Sequence, residues 1–239
     1  MNAIQSYSIS NQQSGCRGFS GWPVLLLLLL LSLTYSLIAA PAMDVTMSEA
    51  EIRKIGQRYG EMAERRLRAW QKLIIDIADQ SDNEKLHRVN KFFNQVRFLD
   101  DIVHWKKTDY WASPVEFLVS NGGDCEDFSI AKYYTLRQVG VPMEKLSIVY
   151  VKALRLNQAH MVLTYYPTPK QVPLILDNLI GEIKPANRRP DLQHVYSFNG
   201  DNLWLTKKGR RSTLVGTSDQ LKPWVQLQTR MENQDINLK

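Results

Sequence analysis

Helical signals fill the first half of this chain and strand signals the second, and that order constrains the fold more than any other feature. Leu67, Trp70, Ile74 and Ile77 recur at helical spacing, as do Leu86, Val89, Phe92, Phe93 and Val96. Each stripe marks one buried helix face. Ser48-x-x-Glu51 and Ser81-x-x-Glu84 read as capping boxes, in which each side chain satisfies an orphaned backbone donor. Ser113-Pro114-Val115-Glu116 is a third start, with Pro at the first helical position. Its helix must be short, because Asn121-Gly122-Gly123 stops it, and a further helix is expected from about Cys125 to Val139, closed by Gly140. Beyond it, Leu146 to Leu154, Ala159 to Tyr166 and Gln171 to Asp177 are rich in Val, Ile, Leu and Tyr and read as strands. Val195 to Leu205 reads as a hairpin around Asn199-Gly200. Helices first and successive strands afterwards predict an α+β fold, with N-terminal helices packed on an antiparallel sheet.

The chain opens on a leader. Val24 to Leu33 is almost pure leucine, preceded by Arg17 and followed by small residues up to Ala42. A short apolar core with small residues after it reads as a secretory signal over residues 1–42, and an uncleaved membrane anchor is the alternative. Residues 43–239 then form a single domain with a sizeable core. The formal net charge is +6, and the leader holds one Arg and no acid, so the remainder stays mildly basic. Lys207-Lys208-Gly209-Arg210-Arg211 is the densest basic cluster, but no aromatic residues interleave with it. Nucleic acid is therefore not an expected partner.

Outside the leader, which holds Cys16, one cysteine remains: Cys125, within Gly122-Gly123-Asp124-Cys125-Glu126-Asp127-Phe128. An exported protein usually pairs its cysteines or lacks them. A lone thiol at a helix start, where the macrodipole favours the thiolate, is a candidate nucleophile. The alternative is a cysteine packed as a small hydrophobe, which three acidic neighbours disfavour.

A cysteine nucleophile needs a base and a group that orients the base. His87 lies among charged residues in a helix, His104 precedes Trp105 and His194 lies at a strand entrance, whereas His160 opens the strand from Ala159 to Tyr166. The next strand ends at Asp177, and Pro167-Thr168-Pro169-Lys170 separates the two. A hairpin folded about the middle of those four residues sets His160 directly opposite Asp177, within reach of an imidazole–carboxylate hydrogen bond. A one-residue slip would turn Asp177 to the other face. The alternative for Asp177 is a solvated acid beside a turn.

Asp109-Tyr110-Trp111-Ala112-Ser113-Pro114, Gly123-Asp124-Cys125-Glu126-Asp127-Phe128, Ala159-His160-Met161-Val162-Leu163, Pro173-Leu174-Ile175-Leu176-Asp177-Asn178 and Val195-Tyr196-Ser197-Phe198-Asn199 follow one another in order. This set, over roughly residues 90–205, resembles the bacterial transglutaminase-like cysteine proteases of the LapG type, within the papain/transglutaminase-like superfamily. The resemblance implies a periplasmic endopeptidase that cuts a large outer-membrane-associated adhesin near a di-alanine site in its N-terminal region and releases it, promoting biofilm dispersal. It also implies control by the periplasmic domain of an inner-membrane cyclic di-GMP receptor. Carried over, Cys125 is the nucleophile, His160 the general base and acid, and Asp177 the orienting carboxylate.

Asp124, Glu126 and Asp127 oppose ionisation of the thiol. A bound cation would offset them, and clustered carboxylates suit Ca²⁺. The resemblance implies calcium dependence as well, with Asp124 and Glu126 as main ligands and Asp127 as a weaker one. The alternative is an acidic turn that caps the helix. Two other functions remain open: amide transfer or deamidation at protein glutamine through the same triad, and a non-catalytic calcium-binding adaptor. An intact Cys, His and Asp set argues against the adaptor. Trp111 or its neighbours, with the Cys125 N–H, are the expected oxyanion donors.

Overall fold

Serine caps start the helices where the sequence places them. The structure, a computed structural model, describes residues 44–205, 213–234 and 236; the leader and the basic cluster at 207–211 lie outside the described residues. Helix α1 (Glu49–Tyr59) carries the full Ser48–Glu51 box, and α2 (Glu61–Ile77) follows at Gly60. Helix α3 (Asp82–Phe93) has half a box: Ser81 accepts from the Glu84 N–H, and the return bond is not formed. After α4 (Asp101–His104), α5 (Pro114–Ser120) has the complete Ser113–Glu116 box and ends on Asn121 in the left-handed region. Helix α6 (Cys125–Gln138) begins at the cysteine and stops before Gly140, which has φ +87°.

The strands are β3 (Leu146–Ala153), β4 (Gln158–Tyr165), β5 (Leu174–Leu176), β6 (Lys184–Pro185), β7 (Leu192–Phe198), β8 (Asn202–Leu205) and β9 (Thr213–Thr217). They form a seven-stranded sheet, order β6-β5-β4-β3-β7-β8-β9, with every pair antiparallel. A two-residue parallel ladder, β1 (Arg97–Phe98) on β2 (Gly122–Gly123), ties the glycine turn to the chain after α3. The α+β expectation is met, with one element beyond it: α7 (Lys222–Glu232) follows the strands and sends Trp224 into the core. No helix of the described residues is long and apolar enough to cross a membrane.

The hairpin register differs from the expected one in an instructive way. Leu163 pairs with Leu176 and Tyr165 with Leu174, so continuing the ladder brings Asp177 opposite Val162, not opposite His160. The displacement is two residues, which preserves the face; a displacement of one would have reversed it. His160 and Asp177 are therefore diagonal neighbours. The Asn199-Gly200 turn also closes by other means than a left-handed glycine. Asn199 Oδ1 accepts the N–H groups of Asp201 and Asn202, and positive φ among glycines is confined to Gly60 and Gly140 of the described residues. Gly200 packs closely there: a Cβ would lie 2.8 Å from Met143 Sδ, which the methionine side chain would have to shift to admit.

The main core lies between α2, α3, α5, α6 and the sheet, and Trp70 is at its centre, fully buried with its indole N–H donated to Thr135 Oγ1 at 2.9 Å. Trp70→Ala is expected to remove about 3–5 kcal/mol of stability. Urea denaturation would show it as a lowered midpoint at an unchanged slope; an unaltered midpoint would contradict this placement of the core.

Candidate active site

Cys125 is the first residue of α6, and Gly123 just before it is fixed by close packing. A Cβ on Gly123 would lie 2.1 Å from Asp127 Oδ2. Asp127 in turn accepts the Asp124 N–H at 3.3 Å, which ties the turn to the first helical residues. The Cys125 thiol donates to Glu126 Oε2 at 2.9 Å. Burial, then the charges of Glu126 and Asp124, push its pKa well up, and the backbone N–H of Met161, the neighbour of His160, acts against them.

His160 and Asp177 come together as expected. His160 Nε2 lies 2.8 Å from Asp177 Oδ1, and both residues are buried. The Nδ1 edge of the ring is the one not engaged with Asp177. Asp177 Oδ1 also accepts the Leu179 N–H at 3.0 Å, and Oδ2 accepts Arg189 Nη2 at 2.8 Å. Burial raises the Asp177 pKa, but the His160 hydrogen bond and charge, the Leu179 N–H and Arg189 outweigh it and hold the group at about 2. Asp177 is thus an anion in the folded protein. Cys125 and His160 are not hydrogen-bonded to each other in this arrangement: the thiol is turned to Glu126.

Arg189 has no counterpart in the sequence reading. Its side chain is 2% exposed and bridges Asp177 to Asp191, whose Oδ2 it meets at 2.9 Å. The second of two adjacent arginines in Asn187-Arg188-Arg189-Pro190 carries no motif, so no sequence signal distinguishes it. Arg189→Met leaves Asp177 without its buried cation and is expected to cost about 3–5 kcal/mol at neutral pH. The sign with pH follows from the depressed carboxyl. In the wild type the contribution of Asp177 is complete above its ordinary value of 3.8 and is lost as pH falls through about 2. The gap in stability between wild type and Arg189→Met should therefore narrow in acid; a gap independent of pH would contradict the assignment.

The acidic flank is larger than the sequence reading made it. Asp101, Asp109, Asp124, Glu126 and Asp127 form overlapping groups of three, one of them Asp124 and Glu126 with the Cys125 sulfur, and within each group the ligand atoms lie within 4.8 Å of one another. Asp127 is fully buried and structurally engaged, accepting the Ala112 N–H at 2.7 Å and the Trp105 indole at 3.4 Å. Asp101 accepts the Tyr110 N–H through Oδ2, whereas Asp101 Oδ1 and Asp124 Oδ1 are buried without a hydrogen-bond partner. Such oxygens are costly to bury alone. Burial, then Glu126 and Asp127, push Asp124 up to about 11. Burial raises Asp101 to about 6, with Glu126 and Asp109 adding to it against the Tyr110 N–H. An all-oxygen set with two orphaned carboxylate atoms fits a hard divalent cation such as Ca²⁺. Asp101 and Asp109 were missed because they precede the cysteine by a whole helix and are brought in by the 99–113 segment.

That segment is latched from the C-terminal helix. Arg230 of α7 donates to the Trp111 carbonyl and lies 4.6 Å over the Tyr110 ring, and Glu116 accepts the Tyr110 hydroxyl at 2.7 Å. The Trp111 indole donates to Asp109 at 2.8 Å. Together with the bonds from the Tyr110, Ala112 and Ser113 N–H groups to Asp101, Asp127 and Glu116, this takes those donors away from an oxyanion role. Of the donors expected from Trp111 or its neighbours, the Trp111 indole and these three N–H groups are therefore engaged elsewhere.

Comparison with known proteins agrees with this geometry. A family profile described as bacterial transglutaminase-like cysteine proteinase matches residues 61–205. Among solved structures, EGTA-treated Legionella pneumophila LapG is 48% identical, with a TM-score of 0.69, and the match covers 77% of this chain and 98% of that one. Calcium-bound Legionella pneumophila LapG is 47% identical, with a TM-score of 0.67, over 77% of this chain and 99% of that one. No curated protein matches the chain. A family match over more than half the chain, with a relative of this identity carrying the same transglutaminase-like fold, places the chain in the bacterial transglutaminase-like cysteine proteinase family.

Proposed function

We propose that this protein is a calcium-dependent periplasmic cysteine endopeptidase. It cleaves the N-terminal region of a large outer-membrane-associated adhesin near a di-alanine site, and the periplasmic domain of a cyclic di-GMP receptor controls its access to that substrate. The observation that carries the reading is the helix-terminal Cys125 beside a buried His160–Asp177 pair. Residues 1–42 serve as the export signal, and 43–239 as the single protease domain.

In this reading the thiol leaves Glu126 and gives its proton to His160, whose other nitrogen is fixed by anionic Asp177. The sulfur attacks the scissile carbonyl carbon, and the Cys125 N–H at the start of α6 stabilises the oxyanion. Imidazolium His160 then protonates the leaving amine, the C–N bond breaks, and an acyl-thioester remains. Water, deprotonated by His160, releases the acid and restores the thiol. Asp124 and Glu126, with Asp101, Asp109 and Asp127 around them, would hold a calcium ion, which when bound would supply positive charge against the acidic field on the sulfur.

Incubating residues 43–239 with an N-terminal adhesin fragment tests the proposal. A discrete shorter product that requires Cys125 supports it; deamidation or cross-linking of glutamine without backbone cleavage would replace it with the amide-transfer reading.

A further inference from the structure

Along the strand order Asp177 and His160 lie to one side of Cys125, and a pair of half-buried tyrosines that packs against the main core lies to the other. Across the order β5-β4-β3-β7, Asp177 follows β5 and His160 lies on β4. The thiol sits by the backbone of Met161 on β4. Next to Met161 on β3 is Tyr150, and next to Tyr150 on β7 is Tyr196. Directly opposed residues share a face, so Met161, Tyr150 and Tyr196 form one row, on the sheet face that packs Cys125 and is opposite the face of His160, and the row leads from Met161 toward β7, away from β5 and Asp177. The two tyrosine rings are stacked, 5.0 Å between centroids and 6° between planes. Both residues are half-buried. Tyr196 continues to Phe198 at 6.3 Å, and Phe198 stacks on Trp111 at 5.6 Å, so the row is backed by the core and by the segment that carries Asp109.

Two further observations bind this row to the site. Tyr196 lies within the electrostatic reach of Asp109 and Glu126, at the edge of the acidic flank. The β3–β7 register also shifts between Tyr150 and Val151, so Val195 is an extra residue on β7 immediately before Tyr196. An extra residue of this kind re-aims the neighbouring side chain, and such bulges concentrate beside active sites.

We infer that the stacked Tyr150–Tyr196 pair is the floor on which the substrate polypeptide is seated beside Cys125, a specificity-determining surface for an extended chain with an apolar residue next to the scissile bond. A flat aromatic pair offers apolar contact area and two hydroxyl groups at its rim with little loss of side-chain freedom. It supplies no formal charge, so selection rests on shape and apolar contact. The inference rests on the endopeptidase reading above.

Tyr150→Leu, Tyr196→Leu and the double variant test it, with kcat and KM measured on an N-terminal adhesin fragment. Cys125 alkylation by iodoacetamide serves as a probe of the thiol that needs no platform. Each single variant is expected to raise KM about five- to tenfold, and the double variant more, with kcat and the alkylation rate little changed. Tyr→Phe variants at both positions, which keep the rings, should keep KM low. A second measurement does not depend on the tyrosine variants folding. In Cys125→Ser protein, a fragment carrying a photoreactive apolar residue next to the scissile bond should cross-link to Tyr150 or Tyr196. If the wild type cleaves the fragment while the leucine variants keep its KM, or the cross-links map elsewhere, the platform is overturned and the protease reading stands. If the wild type cleaves no fragment, both fall.

Discussion

Cys125→Ala is expected to abolish peptide-bond cleavage, by at least about 10³-fold, while the protein keeps its fold. The argument is local. Cys125 begins α6 and is not part of an interior stripe, and its thiol donates to Glu126 Oε2. Removing the sulfur deletes a contact with an acid and leaves the helix start held by the Asp127 bond to the Asp124 N–H. Circular dichroism and the melting temperature should therefore stay near wild type while product formation disappears. Asp177→Asn is the informative companion. It retains the size of the side chain but offers Arg189 and His160 a neutral partner, so the imidazole loses the anion that fixes its tautomer, and a loss of up to about 10⁴-fold is expected. Near-normal cleavage by Cys125→Ala would remove the nucleophile from the mechanism, whatever became of the fold.

Much of this was legible because each signal is local. Ser48, Ser81 and Ser113 each sit beside a helix start and carry the chemistry that caps it. The Cys125 helix and its Gly140 stop need only adjacent residues to be recognised. The His160–Asp177 pairing was legible for a subtler reason. The predicted register was wrong by two residues, yet the strand period of two kept both side chains on one face. What was hidden depends on contacts between distant segments. Arg189 carries no local signal, and its role is set only when the chain folds it against Asp177. Asp101 and Asp109 join the cysteine flank only because β1 pairs with the glycine turn and Arg230 of the C-terminal helix holds Trp111. The fate of the Trp111 indole was hidden for another reason: its acceptor, Asp109, is only two residues away, but the bond is set by the rotamer of a ring and not by a motif.

Calcium removal is expected to inactivate the enzyme reversibly, and the acids around the thiol give the reason. Without a cation, Asp124 is pushed up to about 11 and Asp101 to about 6, and the Cys125 thiol is pushed well up by burial and by Glu126 and Asp124. A thiol so placed beside carboxylates is a poor nucleophile at neutral pH. EGTA should therefore stop proteolysis, and calcium should restore it better than magnesium, which demands a tighter octahedral shell and gives up its water reluctantly. Ligation requires the carboxylates to shed their protons, so calcium affinity should fall as pH is lowered, with proton release on binding. Asp101→Asn separates this site from a simple helix cap. Asp101 lies outside α6 and caps nothing there, so its replacement should weaken calcium binding and activity while the helix start is unchanged. Asp124→Ala should weaken both as well, though removing that acid also relieves repulsion on the sulfur, so its two losses need not match. Calorimetric titration of metal-free protein measures the binding directly, and the melting temperature should rise with calcium concentration. Full proteolysis in excess chelator, with no calcium heat, would reduce the five acids to a hydrogen-bonding cluster at the helix start and leave activation of the thiol to the helix dipole and His160 alone.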